Sequence, residues 1–423
     1  MATAENIQQT IEHLFRHESG KLVSVLTRIF GPQNLEMAED VVQDSLLKAM
    51  NTWKFNDIPE NPSGWIFAVA KNKALDIIRK DKRHGGFAAD ISHLLKSEYT
   101  LAPTVNDLMN SSDIADDQLR MIFTCCHPSL SPELQVALIL KVLCGFSVME
   151  ISRAFLTGND AIEKRLYRAR QQLREEKIEF EIPRQEELTR RLEPVLTAIY
   201  LVFNEGYNST QHADLIRKDL LEEAMRLCEL LCRHPSTNNP NVFALQALMH
   251  LNNARTESRL DGHGNIQILQ KQDRKLWNWD MIRQGLQYLD RSAEGDQLSR
   301  YHLEAAIVAE HVFSPDYAHT NWNNILRYYD LLYQLHPSPV IALNRAIVVS
   351  EIQGPQAAIN AIQEIRGLNL LRNYYLLPAT LGELYARIHN NKEAIKFLRE
   401  ALDLTYSVSE KKLLKDKITS LSL

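Results

Sequence analysis

The chain has 423 residues, 48 lysines and arginines against 53 acidic residues, 45% apolar residues, and only 15 glycines and 15 prolines. The length exceeds one compact core, the apolar share excludes global disorder, and scarce glycine and proline exclude a turn-rich all-β protein. No uncharged apolar run of about eighteen residues occurs, the first residues lack a signal layout, and five cysteines cannot all pair, so an all-α, reduced, cytoplasmic protein with no membrane partner is expected. The net charge of −5 argues against nucleic acid only as a sum. Residues 71–83 and 164–177 each hold six basic and two acidic residues, so positive charge is concentrated in two short stretches.

The first element is AEDVVQDSLLKAMNTW. Val41, Val42, Ser45, Leu46, Ala49 and Trp53 recur at three- and four-residue spacing and form a stripe to be buried. Asp40, Gln43, Asp44 and Leu47 fall on a separate face, which is either a solvated acidic surface or a docking face for a protein partner. The next element is NPSGWIFAVAKNKALDIIRKDKRH. Asn61-Pro62 breaks the chain and Ser63 is placed to cap the following helix. Trp65, Ala68, Val69 and Ile77 are expected on its apolar side, while Asn72, Asp76, Arg79, Lys80 and Arg83 share a stripe with Lys71 and Lys82 beside it. Such cations suit phosphates, and Trp53, Phe55, Trp65 and Phe67 nearby suit stacking on unpaired bases. The bland alternative is core aromatics beside a solvated helix end. Residues 85–113 lack periodicity, open with Gly85-Gly86, and are expected to be a linker.

The third element is SPELQVALILKVLCGFSVMEISRAFLTGNDAIEKRLYRARQQLREE. Ser131-Pro132 fits an N-cap and first helical position, and Ser147 with Glu150 forms a capping box. A short helix over 148–155, a turn at 156–159 and a final helix burying Ile162, Leu166, Ala169 and Leu173 make a helix-turn-helix. Asp160, Lys164, Tyr167, Arg168 and Gln171 lie opposite, and Arg165, Arg168 and Arg170 are available for phosphates. A break near 181–183 ends this part, so the domains expected are 1–84, 114–178 and 185–423 around the linker.

Beyond the break, RRLEPVLTAIYLVFNEGYNST carries Leu192, Val195, Leu196, Ile199, Val202 and Phe203 at helical spacing, with Gly206 as C-cap and Asn204, Glu205 and Tyr207 as a possible polar contact. Ala346, Ala358, Ile359 and Ile362 recur as Gly382, Ala394, Ile395 and Leu398 at an offset of 36. The tetratricopeptide period is about 34, so slightly long helix pairs are expected. Cys228, Cys232 and His234, and Cys125, Cys126 and His127, lack the paired spacing of a strong zinc site, and no metal or cofactor is expected. Asp261, Asp273, Arg274 and Trp277 suit a small-ligand site, or more simply a buried ion pair fixing a loop. No Walker loop, dinucleotide fingerprint or nucleophile elbow occurs, so an enzyme is not expected.

An acidic docking helix, a basic helix with aromatics, a linker and a helix-turn-helix, in that order, resemble the extracytoplasmic-function sigma factors. AEDVVQDSLLKAMNTW is similar to their core-polymerase-binding helix, NPSGWIFAVAKNKALDIIRK to their helix for the minus-ten element, and residues 114–178 to their region four. DDQLRMIFTCCHPSLSPE, RAFLTGNDAIEKRLYRAR, RRLEPVLTAIYLVFNEGY and GNIQILQKQDRKLWNWDMI resemble the subgroup with a long tetratricopeptide-like C-terminal extension. The resemblance implies core RNA polymerase and promoter DNA as partners, with a protein or small-molecule partner for the extension, which would modulate activity. Asp40, Gln43, Asp44 and Leu47 would bind core polymerase. Trp65, Lys71, Asn72, Asp76, Arg79, Lys80 and Arg83 would address the minus-ten element, and Asn159, Asp160, Lys164, Arg165 and Arg168 the minus-thirty-five duplex. One departure is Ala161, near a position where sigma factors often carry threonine. The runner-up is a helix-turn-helix regulator with a ligand- or protein-sensing helical domain that never enters polymerase.

Overall fold

The computed structural model describes residues 4–80, 98–110, 114–154, 157–208, 216–262 and 265–422. It is 76% helical, and the described residues hold no strand, only an isolated bridge between Leu260 and Ile266. Two compact units divide at 202/203.

The first unit contains α1 (Ala4–Phe30), α2 (Leu35–Trp53), α3 (Pro62–Lys80), α4 (Glu98–Asn110), α5 (Ile114–Cys125), α6 (Pro132–Leu138), α7 (Val148–Ala154) and α8 (Asn159–Glu175), with most of α9 (Gln185–Tyr207). Helix α1 is its axis: it packs on α2, α3, α4 and α5, with Leu22, Val25, Leu26 and Ile29 essentially fully buried. Helix α2 buries the expected stripe, with Trp53 only 2% exposed. In α3 the buried residues are Ile66, Ala70, Ala74, Leu75 and Ile78. The apolar side expected from Trp65, Ala68, Val69 and Ile77 is therefore out of phase: Ala68 is exposed and the other three are half-buried. The helix has apolar residues on more than one face, and α1, α2 and α4 select which face is covered. Asn61 caps this helix in place of Ser63, its Oδ1 accepting from Gly64 N at 2.9 Å.

Part of the segment expected to be a linker is helix α4, which packs on α3 and α1. Leu101, Val105 and Met109 recur every fourth residue and are buried. Pro103 inside the helix and the polar residues around it hide that short stripe in the sequence. Helix α6 continues as a π-turn over Ile139–Leu143. The capping box forms: Glu150 Oε2 accepts from Ser147 N at 2.8 Å, and Ser147 Oγ accepts from Glu150 N at 3.2 Å.

The second unit contains the end of α9 and then α10 (Lys218–Arg233), α11 (Pro240–Asn253), α12 (Trp279–Ser292), α13 (Arg300–Phe313), α14 (Trp322–Leu335), α15 (Pro339–Gln353), α16 (Pro355–Gln363), α17 (Leu376–Arg387), α18 (Asn391–Leu404) and α19 (Val408–Leu421). Each helix from α10 onward packs on the next, the nearest-neighbour pattern of a helical repeat stack. Side chains of Asn239, Asn278, Ser338, Asn390 and Ser407 cap α11, α12, α15, α18 and α19. The 36-residue offset has a steric origin. Ala346, Ala358 and Ala394 are buried, and a Cβ on Gly382 would stand 2.7 Å from Leu398 Cγ. Small residues at these points let paired helices approach closely.

Gly206 does not end α9, which runs to Tyr207. A Cβ there would meet Leu220 Cβ at 2.8 Å and Leu221 N at 2.9 Å, so the glycine serves close packing against α10. All five cysteines are buried and free. Burial holds the thiols of Cys125, Cys126 and Cys228 protonated by pushing them up.

Candidate nucleic-acid and polymerase interface

On α2, burial of Val41, Val42, Ser45 and Leu46 turns Asp40, Gln43, Asp44 and Leu47 outward. Leu47 is 54% exposed, an apolar side chain among acids on a solvent-facing helix. Asp44 pairs with Lys73 of α3, and both partners are exposed.

Helix α3 presents Asn72, Asp76, Arg79 and Lys80 to solvent on one stripe. Arg79 lies 3.7 Å from Asp76, and Lys71 donates to Asn106 Oδ1 of α4 at 2.9 Å. Arg83 and Lys82 lie outside the described residues. The four aromatics separate into distinct environments. Trp53 is core, with its ring centroid 5.4 Å from that of half-buried Trp65, whereas Phe55 is 84% exposed. Phe67 lines a cavity of about 400 Å³ together with Asn61, Gly64, Ala68 and Lys71.

The helix-turn-helix places α8 as expected. Ile162, Leu166, Ala169 and Leu173 are buried, while Asn159, Asp160, Lys164, Tyr167, Arg168 and Gln171 are exposed and Arg165 is half-buried. Asn159 Oδ1 accepts from Ser152 Oγ at 2.6 Å, which ties the start of α8 to α7.

Arg170 is not among the available cations. Its guanidinium forks onto Glu39 of α2 at 2.8–3.1 Å, and Arg174 reaches Glu36 at 3.1 Å. Burial pushes the Glu39 carboxyl up, and the Arg170 guanidinium only partly pulls it back. A second buried acid, Asp117 of α5, accepts from Arg120 at 2.5 Å and from Arg28 of α1 at 3.4 Å. The pairs that join helices carry no local signal, because Glu39 and Arg170 are 131 positions apart and Arg28 and Asp117 are 89 apart.

Residues 14–84 match the family described as sigma-70 region 2, and residues 120–173 match sigma-70 region 4. An uncharacterized protein of Rhizobium meliloti (strain 1021) is 34% identical over 391 residues, covering 92% of this chain and 90% of that one. The ECF RNA polymerase sigma factor SigE of Mycolicibacterium smegmatis is 26% identical over 164 residues, 39% of this chain and 60% of that protein. The chain is an extracytoplasmic-function-like sigma factor. No solved structure matches it. Residues 191–293 of this sigma factor match a family of unknown function, DUF6596, so the sigma regions are followed by a helical extension. Among the described residues, no helix is long and apolar enough to cross a membrane, and no group of three or more metal-ligating side chains occurs.

Within the extension, the ion pair expected of Arg274 does not form. Asp261 accepts from Asn265 N at 2.8 Å, Asp273 accepts from Lys275 N at 2.9 Å, and Arg274 donates instead to the carbonyls of His311 and Ser314. The exposed carbonyls at the end of α13 compete for the guanidinium, as helix C-termini do.

Proposed function

We propose that this sigma factor binds core RNA polymerase and directs promoter-specific initiation, with its helical extension modulating that activity. Asp40, Gln43, Asp44 and Leu47 dock on polymerase. Asn72, Asp76, Arg79 and Lys80, with Trp65, Lys71 and Arg83, address the minus-ten element. Phe55 and the cavity beside Phe67 receive unstacked bases, which offsets an unpairing cost of a few kcal/mol. Asn159, Asp160, Lys164, Arg165 and Arg168 address the minus-thirty-five duplex. The protein performs no bond chemistry under this reading; polymerase does.

The observation that carries the proposal is α8, which seats four apolar residues in the core while leaving Lys164, Tyr167 and Arg168 in solvent beside a correctly capped α7. Two linked DNA contacts can each be weak, since linkage raises the effective concentration of the second. The test is run-off transcription by purified core polymerase with the full chain and with a chain lacking residues 203–423. Promoter-specific transcripts from the full chain, altered in amount by the truncation, are expected. Duplex binding without any transcript or polymerase association would instead leave a regulator that works outside polymerase.

A further inference from the structure

Between α11 and α12 the chain passes through short 3-10 turns at Thr256–Ser258, Leu269–Lys271 and Arg274–Leu276. Trp277 at the end of this loop is 3% exposed and packs with Leu251, Ile282, Ala309 and Val312. Arg255 and Arg274 lie beside its ring, 6.0 Å and 4.5 Å from the centroid, and Arg259 lies 4.0 Å from that of Tyr207. Arg255 is 8% exposed; it donates to Asn252 Oδ1 at 2.9 Å, and its Nε is buried without a hydrogen-bond partner. His311 adds no compensation, because burial and the guanidiniums of Arg255 and Arg274 push it down to about 4. Among the described residues, the three arginines bond to carbonyls, amide oxygens and a phenol, and none pairs with a carboxylate. Ring faces, carbonyls and, at Arg274, the attraction of the Asp316 carboxylate offset part of the cost of such groups and leave a partly compensated positive field.

Arg274 brings that field to a cavity of about 490 Å³. The remaining walls include Trp279, Ile282, Leu286, Val312 and Phe313, with Arg283 also lining it and no acidic side chain among the lining residues. The volume suits a small organic molecule. Trp279 is 50% and Phe313 68% exposed, a large apolar outlay at a solvent-facing position. The Arg283–Asp280 pair is exposed on both sides, so it holds Arg283 only weakly.

We propose that this cavity binds a small organic acid, with an aryl or alkyl body between Trp279 and Phe313 and its carboxylate on Arg274 and Arg283. A planar monoanion matches the guanidinium fork, and the apolar walls select against bare inorganic anions. The site concerns the second unit alone and is tested by binding, so the outcome is independent of whether the chain initiates transcription.

The experiment titrates the full-length protein with 2-naphthoate, following tryptophan fluorescence and melting temperature. Neutral 2-naphthalenemethanol and acetate at matched ionic strength are the controls. Saturable naphthoate binding is expected, at least about tenfold tighter than either control. Arg274→Gln and Phe313→Ala should each weaken it about tenfold, and Arg283→Gln several-fold. Arg274 also bonds the end of α13, so circular dichroism must first show R274Q folded; if it is not, the exposed Phe313 and Arg283 variants decide. No saturable binding below about 10 mM, equal affinity for the alcohol, or affinity unchanged in both F313A and R283Q would overturn the proposal.

Discussion

Two clusters of buried charge, one in each unit, are met in different ways. In the first, Glu39 is met by Arg170 from another helix, and Asp117 by Arg28 of α1 together with Arg120 of its own helix. The Arg170 and Arg28 pairs join elements, whereas Lys164 and Arg168 of α8 stand in solvent. In the second, Arg255, Arg259 and Arg274 meet carbonyls, amide oxygens and ring faces, with no carboxylate in an ion pair with them among the described residues. The difference teaches that an arginine count says little about nucleic acid. What matters is whether the charge is matched, and where the unmatched part faces.

The comparison is broken most directly at its best-matched pair. Arg170→Ala leaves Glu39, 7% exposed, buried without its guanidinium, and should cost the first unit about 3–5 kcal/mol in urea denaturation. The double change Glu39→Met with Arg170→Leu should recover most of that loss, because it removes both charges.

The second unit is sharpened by acid. His311 is held down to about 4 against an ordinary 6.5, first by burial and then by Arg255 and Arg274. The unfolded chain therefore binds the proton more tightly than the folded one. Its contribution is fully present above pH 6.5 and is lost as pH falls toward 4, an effect of about 3 kcal/mol. His250 and His302 are lowered by burial too and act in the same direction. Melting followed from pH 7 to pH 4.5 should show this loss, and His311→Gln should flatten it. An unchanged slope in H311Q would remove His311 as the cause.

The exposed cations of the first unit should behave in the reverse manner. Lys164→Ala and Arg168→Ala should leave the melting temperature almost unchanged while each weakening promoter binding by about 1–3 kcal/mol, read by fluorescence anisotropy on a minus-thirty-five duplex. Full-strength binding by the double variant would end the recognition-helix assignment. The smallest effect is expected at Lys73→Ala. It breaks an exposed pair with Asp44 and should shift stability by no more than about 0.5 kcal/mol. Any larger change in polymerase affinity would then report on Asp44 itself.

Legibility followed the range of the forces involved. The faces of α2 and α8 were readable because each has one apolar stripe at regular spacing and polar residues elsewhere. The phase of α3 was not, because apolar residues occur around much of its circumference and its neighbours choose the face. Helix α4 is not legible, because Pro103 and the polar residues around it mask a stripe of only three positions. The sequence offers Arg170 for phosphates because its partner lies in another helix. Arg274 was read as one half of an ion pair, since nothing local says that the carbonyls of α13 would be close enough to take it. Arg255 and Arg259 offer no pattern, and Tyr207 reads only as part of a polar contact with Asn204 and Glu205.

Helical periodicity and capping residues are local, and they were enough for an all-α chain and the exposed polar faces of α2 and α8, while the order of motifs carried the resemblance to sigma factors with a helical extension. Pairing is not local. Which arginines are spent on holding helices together, which carbonyls take a guanidinium, and where an unmatched positive charge meets an apolar cavity depend on groups brought within a few ångströms by packing. Only the tertiary structure decides those, because electrostatic interactions between side chains are set by distance and burial rather than by position along the chain.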